Sequence, residues 1–167
     1  YFGDYEMPDD IIYYEKNSNN QYVIDSNVLD LFAGTGSLGI ECLSRGASHS
    51  TFVDVSKESI NIVKSNIKKA RVENESTILN IDFKSAIERL RLQNKKFDII
   101  FMDPPYYKNM FIDALSSIDS SDLLCEDGII VVEHDTKDKF IDKIGRLEKT
   151  RDKKYGNTTL TFYKLEE

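Results

Sequence analysis

The sequence predicts an α/β fold, a mostly parallel sheet with helices over both faces. Three observations carry this. Short apolar runs such as Phe97–Met102 recur along the chain and read as strands buried on both sides. Segments with helical apolar spacing alternate with them, as at Ile60, Val63, Ile67 and Ala70. The residues able to do chemistry fall at the ends of the strands, where such sheets collect their ligands near the topological switch point.

Taken in order, Asn27–Phe32 reads as a strand and Ser37–Arg45 as a helix closed by Gly46. Ser50–Val55 is a strand, followed by a helix over Ser56–Ala70 with Ser56 as its cap and Glu58 in its first turn. Thr77–Ile81 is a strand and Lys84–Leu92 a helix showing Ile87 and Leu90 on one face. Phe97–Met102 leads to a helix within Lys108–Ile118. Gly128–Glu133 reads as a strand and Lys137–Ile144 as a helix. Leu147–Lys154 and Thr158–Leu165 form a terminal antiparallel hairpin about Gly156. Residues 1–26 are the least patterned, with short strands or packing segments expected at Tyr13-Tyr14 and Tyr22-Val23-Ile24.

A chain of 167 residues suits one domain with a substantial core. Its apolar runs are too short to span a bilayer and no secretory leader opens it, so a cytoplasmic location and no membrane partner are expected. Cys42, Cys125, His49 and His134 each lack a second ligand at metal spacing, so reduced cysteines and no metal are expected. The net charge of -7 argues against a general nucleic-acid binder. It is unevenly spread. Residues 1–30 carry seven acids against Lys16, while residues 137–154 carry eight cations against four acids. That basic run reads as a solvated face or, less readily, as a rim contacting phosphates.

The first strand meets the first helix through Asp30-Leu31-Phe32-Ala33-Gly34-Thr35-Gly36-Ser37-Leu38-Gly39. Gly34 and Gly36 remove side chains where a ligand must approach the backbone, and Gly39 lets helix and strand pack closely. The spacing fits several nucleoside cofactors, and Asp54 lies where a ribose-binding acid belongs. Asp30 separates them. A carboxylate four residues before Gly34 repels a pyrophosphate but attracts the ammonium and sulfonium of S-adenosylmethionine. Asp54, followed by Val55, can accept both ribose hydroxyls or cap the next helix. Asp82 can accept from an adenine amino group with Phe83 lining the base, or it can equally be a helix cap.

Asp103-Pro104-Pro105-Tyr106 follows the most apolar strand. It offers a carboxylate acceptor, a rigid backbone carbonyl and a flat aromatic plate, the set needed to hold a planar amino group on a heterocyclic base. The plain alternative is a capping Asp with prolines at a strand-to-helix turn. Tyr107 and Lys108 could touch base or phosphate, or simply begin a helix at the surface.

The run Asp30 to Ala47, then Phe52-Val53-Asp54, Asp103-Pro104-Pro105-Tyr106 and Tyr155-Gly156, resembles the bacterial RsmD family over roughly residues 27–165. The resemblance implies a Rossmann-like class I methyltransferase fold, a three-layer αβα sandwich whose mostly parallel seven-stranded sheet has an antiparallel last strand. It implies S-adenosylmethionine-dependent methylation of the exocyclic N2 of a guanine in 16S ribosomal RNA. On this reading the catalytic residues are Asp103, Pro104, Pro105 and Tyr106. The cofactor is held by Asp30, Phe32, Ala33, Gly34, Gly36, Asp54, Val55, Asp82 and Phe83. Tyr106, Tyr107 and Lys108 meet the substrate. The expected partner is ribosomal RNA in an assembling small subunit, met by a monomer. Family members open with a basic hairpin and an Arg-Pro-Thr segment, whereas residues 1–26 are acidic and show neither. They are expected to be a truncated or divergent form of that arm, with the methyltransferase domain over 27–167.

Three rival readings remain open on the residues alone. One is another amino-directed methyltransferase, acting on adenine in DNA or RNA or on a protein glutamine. The second is a catalytically silent nucleoside-binding assembly factor. The third is a nicotinamide oxidoreductase.

Overall fold

The computed structural model describes residues 23–104, 110–138 and 140–167. In chain order these form β1 (Asn27–Asp30), α1 (Ser37–Ser44), β2 (His49–Val53), α2 (Lys57–Ala70), β3 (Ser76–Leu79), α3 (Phe83–Leu92), β4 (Phe97–Met102), α4 (Met110–Ser120), β5 (Leu124–Asp135), β6 (Lys143–Ile144), β7 (Leu147–Tyr155) and β8 (Thr158–Leu165). The strands make one sheet in the order β3-β2-β1-β4-β5-β8-β7-β6. Strands β1 to β5 pair in parallel, and β8, β7 and β6 add antiparallel neighbours. The chain steps outward from β1 to β3 and then returns to place β4 on the other side of β1. The switch point therefore lies between β1 and β4, the place where open α/β sheets form their ligand cleft beyond the strand ends.

Strand alternation builds the three layers. Val28, Ile99 and Phe101 face α1 through Leu38 and Cys42. Leu29, Ile100 and Met102 face Ala86 and Leu90 of α3 and Leu115 of α4. Phe52 of β2 packs on Val63 and Ile67 of α2. All six residues of β4 are buried, as a central strand covered on both faces requires. Helix α2 is capped as its sequence predicts, with the Ser56 side chain accepting from the Ser59 amide at 3.2 Å.

The αβα class and the antiparallel last strand are as expected, but three local readings are corrected. No helix forms over 137–144 among the described residues; instead the chain turns after β5 and adds the two-residue strand β6, giving eight strands rather than seven. The turn is held by Asp135, whose Oδ1 accepts from the Lys137 amide at 2.9 Å. The Thr136 amide donates to the Asn157 carbonyl at 2.8 Å, tying the turn to the β7–β8 loop. The spacing of Phe140, Ile141 and Ile144 imitates a helix, but Phe140 instead stacks between His134 and Phe111, with centroids 3.7 and 4.0 Å away. Second, β3 ends at Leu79, so Asp82 and Phe83 begin α3 rather than end the strand. Third, Val23 and Ile24 lie in a turn, with Val23 buried against the α1 side of the sheet. Tyr13, Tyr14 and Tyr22 lie outside the described residues.

Gly39 sets how closely α1 approaches β2. A Cβ there would lie 2.4 Å from Phe52 Cε1 and 2.8 Å from Cζ, inside any permitted contact. Phe52 is fully buried and has nowhere to retreat. Gly39→Ala is expected to cost about 1–3 kcal/mol by overpacking, read as a lower urea midpoint at unchanged slope.

Candidate active site

The end of β1 is built around a buried acid. Asp30 is 2% exposed, in register with Phe52 of β2 on one side and Phe101 of β4 on the other. Its Oδ2 lies 3.4 Å from the Gly39 amide at the start of α1. Burial pushes its pKa up to about 7; the Asp103 and Asp54 charges add to the rise and the Gly39 N–H opposes it. Asp30 ends β1, and Asp54 and Asp103 directly follow the neighbouring parallel strands β2 and β4, so all three stand at one edge of the sheet.

The loop after β1 exposes backbone. The Leu31 amide donates to the Phe101 carbonyl at 3.1 Å and the Ala33 amide to the Val53 carbonyl at 2.9 Å, extending the central strands by one more bond each. Gly34 and Gly36 then take φ of +59° and +81°, conformations that favour glycine. A Cβ at Gly34 would meet nothing within 4 Å, so the ground above this residue is open. The Gly34 amide donates to Asp54 Oδ2 at 2.9 Å, and the Ser56 amide donates to Asp54 Oδ1 at 2.9 Å. Asp54 therefore is not the cap of α2; it ties the glycine loop to the end of β2. A carboxylate has further lone pairs to offer beyond these two bonds. Val55 beside it is 72% exposed, an apolar side chain at the mouth of the cleft. Asn66 of α2 donates to the Thr35 carbonyl and Asn80 to the Asp54 carbonyl, both at 2.9 Å, which fixes the loop from below.

Phe32 and Phe83 stand with ring centroids 5.5 Å apart, forming an apolar wall at the ends of β1 and α3. Asp82 caps α3. Its Oδ1 accepts from the Ser85 amide at 2.9 Å and its Oδ2 from the Ser85 hydroxyl at 2.8 Å. These bonds hold its carboxyl below the usual range. Of the two readings of Asp82, the capping one is the bond seen here.

Asp103 follows directly on the buried Met102 of β4. Among the described residues, helix α4 begins at Met110. The Asp103 side chain reaches solvent, yet the protein walls around it remove enough water to raise its pKa. Pro104 is half-buried beside it. Pro105, Tyr106, Tyr107 and Lys108 lie outside the described residues. Sequence reasoning missed Glu133 near the end of β5, whose carboxyl stands within hydrogen-bonding reach of Asp103. The signal was present: Glu133 was the last residue of the predicted strand Gly128–Glu133.

Three cations of the basic run 137–154 form ion pairs within the molecule. Lys149 pairs with Asp142 and Asp152 at 3.1 Å, Arg146 with Asp119 at 3.1 Å, and Lys143 with Glu166. Arg151 lies over the Phe162 ring at 4.5 Å. This pairing favours the solvated-face reading over a phosphate rim. Among the described residues no helix is long and apolar enough to cross a membrane.

Asp30 gives the fold a pH dependence of definite sign. Folded, it keeps its proton up to about pH 7, whereas unfolded it loses it near ~3.9. The folded state binds more protons across that window, so this contribution to stability is full below ~3.9 and is lost as pH rises through the folded value. Glu133, pushed up to about 8 by burial and then by the Asp103 charge, acts in the same direction. The protein is expected to melt several degrees lower at pH 8.5 than at pH 6.5, as ~1 kcal/mol moves the midpoint of a domain this size by about 2–4 °C. Asp30→Asn should lessen the difference, leaving the part that belongs to Glu133, measured by calorimetry.

This arrangement recurs in known proteins. The family model for conserved hypothetical protein 95 matches residues 15–164. YlbH of Bacillus subtilis, provisionally named an rRNA methyltransferase, is 40% identical over 136 residues, covering 81% of this chain and 74% of that protein. Ribosomal RNA small subunit methyltransferase D of Haemophilus influenzae is 36% identical over 121 residues, covering 71% of this chain but only 61% of that protein. A conserved hypothetical protein of Streptococcus pyogenes superposes with a TM-score of 0.80 at 33% identity, covering 90% of this chain and 92% of its own. Matched over nearly all its described length in both sequence and fold, the chain belongs to the conserved hypothetical protein 95 family, the RsmD family its motifs resemble.

Proposed function

We propose that this protein is an S-adenosylmethionine-dependent methyltransferase that modifies the N2 amino group of a guanine in small-subunit ribosomal RNA. The observation that carries the reading is the shared edge of Asp30, Asp54 and Asp103 around an open glycine loop. Three acids at one edge favour a positively charged ligand over a pyrophosphate. The related proteins named for rRNA methylation supply the substrate class. The amino-directed motif is intact in this chain, which disfavours a silent scaffold.

When bound, S-adenosylmethionine supplies a methyl group activated by its sulfonium. Asp30 would hold the cationic end of the cofactor, Asp54 the ribose, and Phe32 and Phe83 an apolar side of the base. Ala33, Gly34 and Gly36 supply the floor, and Val55 and Asp82 border it. Asp103 and the Pro104 carbonyl would accept the two N–H bonds of the target amine. The lone pair of that nitrogen is delocalised into the ring, and two acceptors at fixed positions favour its pyramidal form. A carboxylate is too weak a base to remove the proton before attack. Asp103 therefore orients the amine, stabilises the positive charge growing on nitrogen and takes the proton afterwards. Alignment of two reactants supplies about 7–11 kcal/mol, more than any single hydrogen bond. Tyr106 would stack on the base for about 1–3 kcal/mol, and Tyr107 and Lys108 would border it. A paired guanine must first leave its stack. Residues 27–167 form the catalytic domain in this reading. Residues 1–26 would stand in place of the family's RNA-binding arm, and the partner would be RNA in an assembling subunit, met by a monomer in the cytoplasm.

Asp103→Ala is expected to lower kcat by about a hundredfold or more, through lost alignment and a lost hydrogen bond to charge, with cofactor affinity retained. The assay is transfer of labelled methyl to small-subunit RNA, with the modified nucleoside identified by mass spectrometry. Retained turnover, or a product other than N2-methylguanosine, would overturn the assignment. Asp54→Ala should instead weaken cofactor binding about tenfold in calorimetry, with kcat at saturation largely kept.

A further inference from the structure

We infer that Glu133 is a positioning residue for Asp103, donating a carboxylic-acid hydrogen bond that fixes which oxygen Asp103 turns toward the target amine. The inference rests on the methyltransferase reading and assigns a residue that lies outside the Asp-Pro-Pro-Tyr motif.

The placement follows from register. Met102 of β4 pairs with Val132 of β5, so Asp103, the residue that follows β4, emerges beside Glu133, which continues along β5. Their side chains come within hydrogen-bonding reach of each other. Glu133 Oε2 is buried, and among the described residues no donor group reaches it. A buried carboxylate with an unanswered oxygen is costly, and a second carboxylate beside it makes the cost greater. A carboxylate pair has acceptors only; one member must hold a proton for the two to bond. Glu133 is the more enclosed member and Asp103 the one that reaches solvent, so the proton belongs on Glu133. The burial that pushes Glu133 up to about 8 agrees with this.

Among the described residues, the groups packed beside the pair come from β8, β5 and β1. Across β8, Leu160 pairs with Glu133 and is apolar. His134, next along β5, is occupied by Thr161 Oγ1 at 2.6 Å and by the Phe140 ring. From β1, Asp30 is the nearby acid, and the Asp103 charge adds to its cost of ionisation. Between neutral pH and about 8 the pair thus carries one proton, with Asp103 as the ionised acceptor. Above that range Glu133 ionises, the bond becomes a repulsion, and Asp103 loses its fixed orientation.

The test compares the full chain with Glu133→Leu and Glu133→Gln, using labelled methyl transfer to small-subunit RNA. Glu133→Leu should lower kcat about tenfold or more, the loss expected for a hydrogen bond to a charged group, with the KM for S-adenosylmethionine unchanged. Glu133→Gln keeps a donor, so kcat should recover to within about threefold of wild type. Wild-type kcat should fall as pH rises past about 8, and that alkaline limb should vanish in Glu133→Gln. Wild-type turnover in Glu133→Leu, or the same alkaline limb in Glu133→Gln, would overturn the inference. Carboxyl-carbon NMR supplies a readout that needs no turnover. The Glu133 midpoint should move down in Asp103→Asn, which removes the neighbouring charge, and an unmoved midpoint would refute the pair. A wild-type protein inert on small-subunit RNA would overturn the methyltransferase reading, and with it the catalytic part of this inference, while the NMR shift would still report whether the two carboxyls share a proton.

Discussion

A folded chain seldom leaves a carboxyl group where water cannot reach it, and the rest of this site is arranged around one that is. Asp30 ends the innermost parallel strand, closed in by β2, β4 and the first turn of α1. Burial costs the charged form heavily, and only the Gly39 amide among the described backbone donors lies near to offset it. The group is therefore poised between neutral and charged. A cation arriving at the sheet edge would settle that balance, which gives the fold a reason to keep an acid there.

The same constraint explains the glycines. The approach of α1 to β2 that buries Asp30 leaves no room for a side chain at Gly39, whose neighbour Phe52 fills the space. The turn that follows Asp30 needs the left-handed backbone of Gly34 and Gly36. Asp54 then fastens that turn to β2 through the Gly34 amide. One buried acid, one tight helix and one bracing acid thus form a single mechanical unit, and Asp103 meets it from β4.

Much of this could be read from the chain. The glycine loop, the strand ends at Asp30 and Asp54 and the cap at Ser56 are local signals, written within a few residues of where they act. The readings that failed depended on distant partners. Lys137–Ile144 carries helical spacing, but Phe140 is drawn into a stack with Phe111 and His134, and Thr136 is tied to Asn157. Asp82 carries the same letters as a strand-end acid and differs only because β3 stops at Leu79. The cationic run could not be weighed without knowing that Asp119, Asp142, Asp152 and Glu166 fold against it. The sequence pattern ends a strand at Glu133, whereas β5 runs on to Asp135, and it does not connect Glu133 to Asp103, since only strand register shows that the two are neighbours.

The short strand that replaced the expected helix also affects how the molecule meets its own copies. A parallel sheet with a long bare margin invites another chain to add a strand and begin an aggregate. Here the outermost strand on that side, among the described residues, is two residues long, and one of them is Lys143, ion-paired to Glu166. So short a ledge, with a charge on it, gives an incoming backbone little to grip, and the protein gains resistance to edge-to-edge association at a border where its sheet would otherwise continue.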